Sequence, residues 1–351
     1  MRRRELVAAG TGALIAASLS RPAIGEIAAA RPRSNPPAIS SSNLQWLRKA
    51  DDVARAAREM AYGAVCVTVG RAPAHVPLGE GDNLKSYLGV IRNAGLSVDI
   101  VELNTEPAGE AFDLFLRACQ PCGIQQFIFG PFPYASGQQF ADQRVHYQGQ
   151  LASLAKKTAP YGVRALYRNR AGRYLGADVL DVVSLLADLD PKGIGLCYDA
   201  GQGALAGGDG SWVVAVEAAR DQIGCVLCTD ATLHFQLNAD EGGAFTGTPN
   251  DLVVNYGARN TPPAPSGGGG QTNPWMAPSV PLGSGLVDLP GLAAVLKELG
   301  FQGPFVVQSD YPNGGAENGG DRLTLPPAMV LGAMKRDLLT LKAGFSSSGL
   351  I

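Results

Sequence analysis

The stretch Val280-Pro-Leu-Gly-Ser-Gly-Leu-Val-Asp-Leu-Pro290, continued by Gly303-Pro-Phe-Val-Val-Gln-Ser-Asp-Tyr-Pro312, decides the fold. Its opening, punctuated by Gly and Pro, predicts a loop. Leu289 to Leu299 then predicts a helix, Gly300 to Pro304 a turn, and the apolar run from Phe305 a short buried strand. A helix that returns through a tight turn into a buried strand is half of a βαβ unit.

Outward from this stretch the same rhythm recurs. Short apolar runs predict strands at Ala64–Val69, Ser97–Leu103, Gly123–Phe129, Val163–Arg168, Gly193–Tyr198, Ile223–Cys228 and Phe305–Gln308. Helical periodicity covers Leu47–Met60, Asn83–Ala94, Gln138–Ala159, Val179–Leu189, Val213–Arg220 and Pro327–Lys342. Strands that alternate with helices predict a parallel sheet. A weaker eighth strand over Ala38–Trp46 completes a single α/β domain, a (β/α)8 TIM barrel spanning 43–345, with 346–351 as a tail. The length of 351 residues suits one such barrel with insertions. The rhythm breaks at 238–279, where Gly242-Gly243, Pro262-Pro263 and Gly267 to Gly270 replace periodic apolar content. Connections this long are functional or disordered. The segment follows a strand and so leaves from the face where such barrels work; it reads either as a lid or cleft wall, or as an unstructured insertion.

The N-terminus predicts a processed segment rather than part of the fold. Arg2-Arg3-Arg4-Glu5-Leu6-Val7 precedes an apolar run, Ala8 to Leu19, too short to span a bilayer comfortably. Arg3-Arg4-Glu5-Leu6-Val7 resembles a twin-arginine export signal, with small residues at Ala28-Ala29-Ala30 as a cleavage site. The expectation is a signal over 1–30, a flexible leader over 31–42, and a mature protein that works in the periplasm or outside the cell. Composition agrees with a globular protein: 46% hydrophobic, 17% charged, net charge −2. Such a charge offers nothing to nucleic acid or to an anionic membrane surface, and no second stretch is long and apolar enough to cross a membrane. A homo-oligomer is compatible with the sequence.

Several phrases go beyond periodicity. The Val280–Pro290 run, Tyr167-Arg-Asn-Arg-Ala-Gly172, Leu189-Asp-Pro191, Tyr198-Asp-Ala-Gly-Gln202, Cys228-Thr-Asp230 and Asp310-Tyr-Pro-Asn-Gly-Gly-Ala-Glu317 together resemble the xylose isomerase-like TIM barrels, the sugar phosphate isomerase/epimerase group, across residues 50 to 345. The resemblance implies a VPLGxGxVD phrase leading into the last helix. It also implies a set of carboxylates and a His, at the strand ends, that hold one divalent ion. That ion polarises the carbonyl and hydroxyl of a sugar and eases proton transfer between neighbouring carbons.

This chain departs from the implied ligand set. Arg168 stands where the resemblance implies a Glu ligand, and Arg170 where it implies the following His. Gln202 replaces the His of Asp-x-x-His; Leu227 and Thr229 replace the His and Lys of His-x-Lys-Asp; Gln308 falls at the last Glu, or Asp310 serves if the carboxylate directly precedes the Tyr. Asp199 and Asp230 are retained. An arginine cannot bind a cation, and a unit positive charge about 4 Å from a divalent ion costs on the order of 8 kcal/mol at an effective dielectric near 20. No family-like metal site is expected. The residual metal reading is a weak Mn, Mg, Zn or Co ion on Asp199, Asp230 and Asp310.

The same residues suit another task. Arg168 and Arg170, with Asn169, would offer forked donors to a carboxylate or a polarised carbonyl; the competing reading pairs Arg168 structurally with Asp199 or Asp230. Gln202, His234, Gln308 and Asp310 complete the expected substrate-binding set. Asp199, Asp230, His75 and Glu102 are the expected proton-transfer residues, with His75 and His234 equally readable as idle loop histidines and His146 as structural. Cys119-x-x-Cys122 and Cys225-x-x-Cys228 have zinc-like spacing, but residues three apart on a strand face opposite ways, which rules out Cys225 and Cys228 as joint ligands. Cys119 and Cys122 are a disulfide candidate in an exported protein; Cys66 and Cys197 read as strand core. The functional expectation is an exported isomerase, epimerase or lyase-like protein. It would act on a sugar or polyol, neutral or acidic, by proton transfer beside a carbonyl. The alternative is a sugar-binding barrel that has lost its chemistry.

Overall fold

The computed structural model describes residues 36–79, 81–207, 210–235 and 275–351. Its centre is a closed barrel of eight parallel strands: β1 (Ala38–Ser40), β2 (Ala64–Gly70), β3 (Ile100–Leu103), β4 (Gln126–Phe129), β5 (Arg164–Arg168), β6 (Ile194–Asp199), β7 (Ile223–Cys228) and β8 (Phe305–Val307). Neighbours in sequence are neighbours in the sheet, and β1 pairs in parallel with both β2 and β8, which closes the ring. The helices of the outer layer are α1 (Ala50–Glu59), α2 (Gly81–Asn93), α3 (Gly109–Cys119), α4 (Phe140–Thr158), α5 (Val179–Leu186), the short α6 (Ala200–Ala206), α7 (Trp212–Ala218), α8 (Leu289–Glu298) and α9 (Pro327–Phe345).

Side chains alternate between two cores because successive residues of a strand face opposite ways. Inside the barrel, Ala38, Cys66, Ile100, Ile128, Leu166, Cys197, Cys225, Leu227 and Val306 form one apolar plug. Their outward neighbours, such as Val65, Val67, Phe127, Tyr167, Tyr198 and Val307, pack beneath the helices in a second, larger core. Cys225 lies in the inner core and Cys228 in the outer one, as the alternation requires. All six cysteines are free thiols; Cys119 and Cys122 sit buried in the outer core and are not joined, contrary to the disulfide reading.

Two elements differ from the sequence expectation at their edges. The first strand is only Ala38–Ser40, buried at 2%, 0% and 0% exposure, and a 3-10 turn takes over from Ser41 to Leu44. The strand lies within the range read as flexible leader, so the barrel begins earlier than 43. Helix α3 is absent from the helices the sequence periodicity predicts. It buries Phe112, Phe115, Leu116 and Cys119, the i, i+3, i+4, i+7 positions of one helical face, against Phe127 of β4. The tail is not free either: Leu350 and Ile351 pack on the outer core.

The glycine-rich phrase of the β7–α8 connection has a local cause. Asp230, two residues beyond β7, is buried, and its carboxylate gathers four backbone amides. Oδ1 accepts from Ala231 N (2.9 Å) and Val287 N (3.1 Å), and Oδ2 from Gly283 N and Gly285 N (2.9 Å each). A Cβ on Gly285 would stand 2.2 Å from Asp230 Oδ1, and Gly283 sits at φ +81°, so neither position admits another side chain without strain. Asp288 then caps α8 by accepting from Gly291 N, with Pro290 in the first turn. Upstream, His234–Phe235 pairs antiparallel with Trp275–Met276, Phe235 opposite Trp275 and His234 opposite Met276. Residues 236–274, which hold most of the expected lid or insertion, and the expected signal over 1–30 lie outside the described residues. Among the described residues no helix is long and apolar enough to cross a membrane.

Candidate active site

One step of pleat beyond the apolar plug, the inward positions turn polar. Ser40 follows Ala38, Thr68 follows Cys66, Glu102 follows Ile100, Arg168 follows Leu166, Asp199 follows Cys197, Thr229 follows Leu227 and Gln308 follows Val306. These are the C-terminal ends of the strands, the face on which such barrels build their sites.

Arg168 is the hub. Its Nε donates to Asp199 Oδ2 at 2.9 Å and its Nη2 lies 2.8 Å from the same oxygen. Nη1 stands 3.5 Å from Glu102 Oε1, and Nη2 3.8 Å from Asp310 Oδ2. The two longer separations leave guanidinium donors without a close acceptor, on a side chain still 16% exposed. Asp199 is fully buried, and its other oxygen is taken up by Gln202 N (3.2 Å) and by a short contact from the Thr229 hydroxyl. Asn169 braces the same residue from behind: its Oδ1 accepts from Asp199 N (2.7 Å) and its Nδ2 donates to Asp199 O (3.3 Å). Glu102 and Asp310 are each 15% exposed; Glu102 accepts from the Ser40 hydroxyl (3.3 Å) and Asp310 from Asn43 Nδ2 (3.4 Å).

The electrostatics follow from this crowding. Burial works against the charge of Arg168, but Asp199, Glu102 and Asp310 outweigh it and hold the guanidinium above the ordinary arginine value. Burial raises both Glu102 and Asp310 above the ordinary carboxylate range. Arg168 pulls each back only in part, and the other carboxylates push each further up.

Of the expected site residues, Glu102, Arg168, Asp199 and Asp310 come together, with Asn169 and Gln202 in support. Gln202 Oε1 accepts from Ala171 N (3.1 Å). Gln308 reaches the Ser42 hydroxyl through Nε2 (3.3 Å), and its Oε1 is buried with no partner among the described residues. Other expectations are corrected. Arg168 does not pair with Asp230; Asp230 serves the loop of Gly283 to Val287 and is engaged on both oxygens, so it is placed neither as a proton carrier nor as a metal ligand. His75 donates from Nε2 to Leu47 O (3.0 Å), and its Nδ1 receives Gln45 Nε2 (3.0 Å) and the Thr68 hydroxyl (3.1 Å). Burial, offset in part by backbone carbonyls, lowers it to about 4, so it is a neutral strut beside the site. Arg170 stacks on Tyr174, 5.0 Å from the ring centre, and His234 bonds the Thr232 hydroxyl (2.8 Å); neither reaches the cluster. Ser40, Asn43 and Thr229 belong to the site and were not expected. The period-2 alternation, carried to the strand ends, points to Ser40 and Thr229; Asn43 stands in the 3-10 turn, where no strand period reaches it.

A model of the xylose isomerase-like TIM barrel family matches residues 104–324. The chain belongs to that family. No curated protein matches it by sequence. Solved structures of similar fold include a xylose isomerase-like TIM barrel protein from Mycobacterium smegmatis in complex with magnesium, with 13% identity, a TM-score of 0.56, and 89% of this chain and 98% of that chain covered. L-ribulose 3-epimerase gives 14% identity, a TM-score of 0.57, and coverage of 90% and 97%. D-psicose 3-epimerase with D-tagatose from Clostridium cellulolyticum H10 gives 10% identity, a TM-score of 0.58, and coverage of 88% and 99%. At these identities the likeness shows the fold.

The donors of this xylose isomerase-like barrel do not fit a family-type metal cage. The Arg168 guanidinium stands among the three mouth carboxylates, where it supplies the positive charge. Among the described residues no three His, Cys, Asp or Glu side chains are grouped to hold an ion.

Proposed function

We propose that this barrel is an isomerase or epimerase acting on a carbohydrate or polyol through proton transfer beside a carbonyl, with Arg168 in the polarising role. The observation that carries the reading is one half-buried guanidinium facing three carboxylates at the strand ends, two of them with raised proton affinity. Similar folds named as ketose epimerases support the substrate class. Asp199 fixes the guanidinium by two contacts and leaves its remaining donors turned towards Glu102 and Asp310. A substrate carbonyl oxygen placed there is polarised by the charge, and the negative charge that develops on it is stabilised without reorganisation. Glu102 or Asp310, as carboxylate, takes the proton from the adjacent carbon; the electron pair passes to the carbonyl oxygen beside Arg168 as an enediolate. Return of the proton to the other face of the same carbon epimerises it; return to the neighbouring carbon, with the hydroxyl proton of the enediolate passing to the former carbonyl oxygen, moves the carbonyl. Raising a carboxyl towards neutrality makes it a better base and a usable acid at the same site.

The Arg3-Arg4 signal makes export part of this proposal. The second reading, a sugar-binding barrel without turnover, draws support from the same arginine, which stands where the family resemblance implies a metal ligand. Incubation in D2O with D-tagatose, D-psicose and L-ribulose, followed by NMR, separates the two. The catalytic reading expects deuterium at the carbon beside the carbonyl, lost in Glu102→Gln or Asp310→Asn. Binding of a ketose with no exchange in the wild type would establish the second reading instead.

A further inference from the structure

Barrels of this architecture commonly bind phosphate at the loops after their last two strands, and glycine-rich turns present amides that cradle anions. Both loops of this chain carry such turns, and both are filled from within. After β7, the amides of Gly283, Gly285 and Val287 converge on the carboxylate of Asp230. After β8, Asn313-Gly314-Gly315 turns through φ +65° and +88° at its glycines, and the amides of Asn313 (2.9 Å) and Gly315 (3.0 Å) converge on Glu317 Oε2. The amides at the start of α6 are taken as well, Gly201 N by the Thr229 hydroxyl (3.1 Å) and Gln202 N by Asp199 (3.2 Å). Each of these three sets of backbone donors already holds an acceptor of the chain itself.

The side chains lead to the same conclusion. Among the described residues Arg168 is the one cation acting on Glu102 and Asp310, and it already answers three carboxylates. Arg170 lies against Tyr174, and Arg173 bonds the Ser136 hydroxyl (3.1 Å). A phosphate brings a charge of about −1.5 to −2 into a mouth where three carboxyls face one guanidinium, and among the described residues Arg168 alone offers it a charged donor there.

We propose that the site takes an uncharged polyhydroxy carbonyl compound and rejects the phosphate ester and the carboxylic acid of the same sugar. The proposal rests on the reading above and narrows it. Its test is isothermal titration of the whole protein with matched sets: D-fructose and D-tagatose, their 6-phosphates, and fructuronate and tagaturonate. A neutral ketose should bind at least tenfold tighter than either anion. Equal or tighter binding of the phosphate or the acid overturns the inference and leaves the carbohydrate reading standing; binding by none of the six overturns both. A second arm tests the cause. Glu317→Ala, outside the catalytic cluster and checked for fold by circular dichroism, empties the turn after β8. It should gain at least tenfold in affinity for inorganic phosphate while its ketose affinity stays within twofold. No gain would refute the claim that the filled turns exclude the anion.

Discussion

Arg168→Met removes the charge at the hub while keeping most of the aliphatic stem. Asp199 is wholly buried and draws two guanidinium contacts at 2.8 and 2.9 Å, so the substitution strands a buried carboxylate beside two others. Removing one partner of a buried pair costs about 3–5 kcal/mol. At about 2.1 cal/mol/K per residue, 1 kcal/mol moves the Tm of a barrel of this size by about 1.5 °C, so the expected fall near neutral pH is about 5–8 °C. The fall should depend on pH. Glu102 and Asp310 already hold their protons more tightly than the ordinary 4.5 and 3.8, and loss of Arg168 removes the largest of the forces that lower them, leaving only their hydrogen bonds. A carboxyl with a raised folded value contributes stability that is present below its unfolded value and lost as pH rises through the folded one. The deficit of the variant against wild type should therefore be smallest near pH 4.5 and grow towards pH 8. Calorimetric melts of both proteins at pH 4.5, 6 and 8 measure it. A fall of less than about 2 °C at pH 8, or a deficit equal at all three values, would refute the account of Arg168 as the counter-charge of the mouth.

Asp230→Ala should be as damaging, for a different reason. Hydrogen bonds to a charged group are worth about 1.5–3 kcal/mol each, and four amides lose their acceptor at once; Tm should drop by about 6 °C or more. Hydrogen exchange at Gly283, Gly285 and Val287 should accelerate, and unchanged protection there would show that the loop is held by something else. Replacing both Arg3 and Arg4 by Lys should retain the protein in the cytoplasm with its fold intact, and fractionation showing normal export would refute the signal reading.

The barrel was legible because its two periodicities are. Cys66 and Cys197, read as strand core, lie in the plug, and helical spacing from Leu289 to Leu299 located α8 within a residue of its end. The first strand was harder, since three residues, Ala38–Ser40, give no period to count. The site was half legible. Glu102 could be named as a charged residue at a strand end, and Arg168, Asp199 and Asp310 through the phrases that carry the family resemblance. Their partners Ser40, Asn43 and Thr229 are small polar residues, and nothing in their chemistry separates them from turn formers. Asp230 misled for a physical reason. A carboxylate kept at a strand end reads alike whether it moves a proton or collects amides, and only the convergence of residues 53 to 57 positions downstream tells them apart.

The short antiparallel pair of His234–Phe235 with Trp275–Met276 makes the excursion between them a modular graft. Its two ends are clasped to each other before the chain re-enters the barrel, and Asp230 fixes the re-entry independently at Gly283 to Val287. Register along β7 and α8 is then indifferent to what lies in the interval. Each doubling of its length would cost only about 0.6 kcal/mol in closure entropy. A lineage built on this plan can rewrite that interval, lengthening, trimming or exchanging it, without renegotiating a single strand of the barrel beneath.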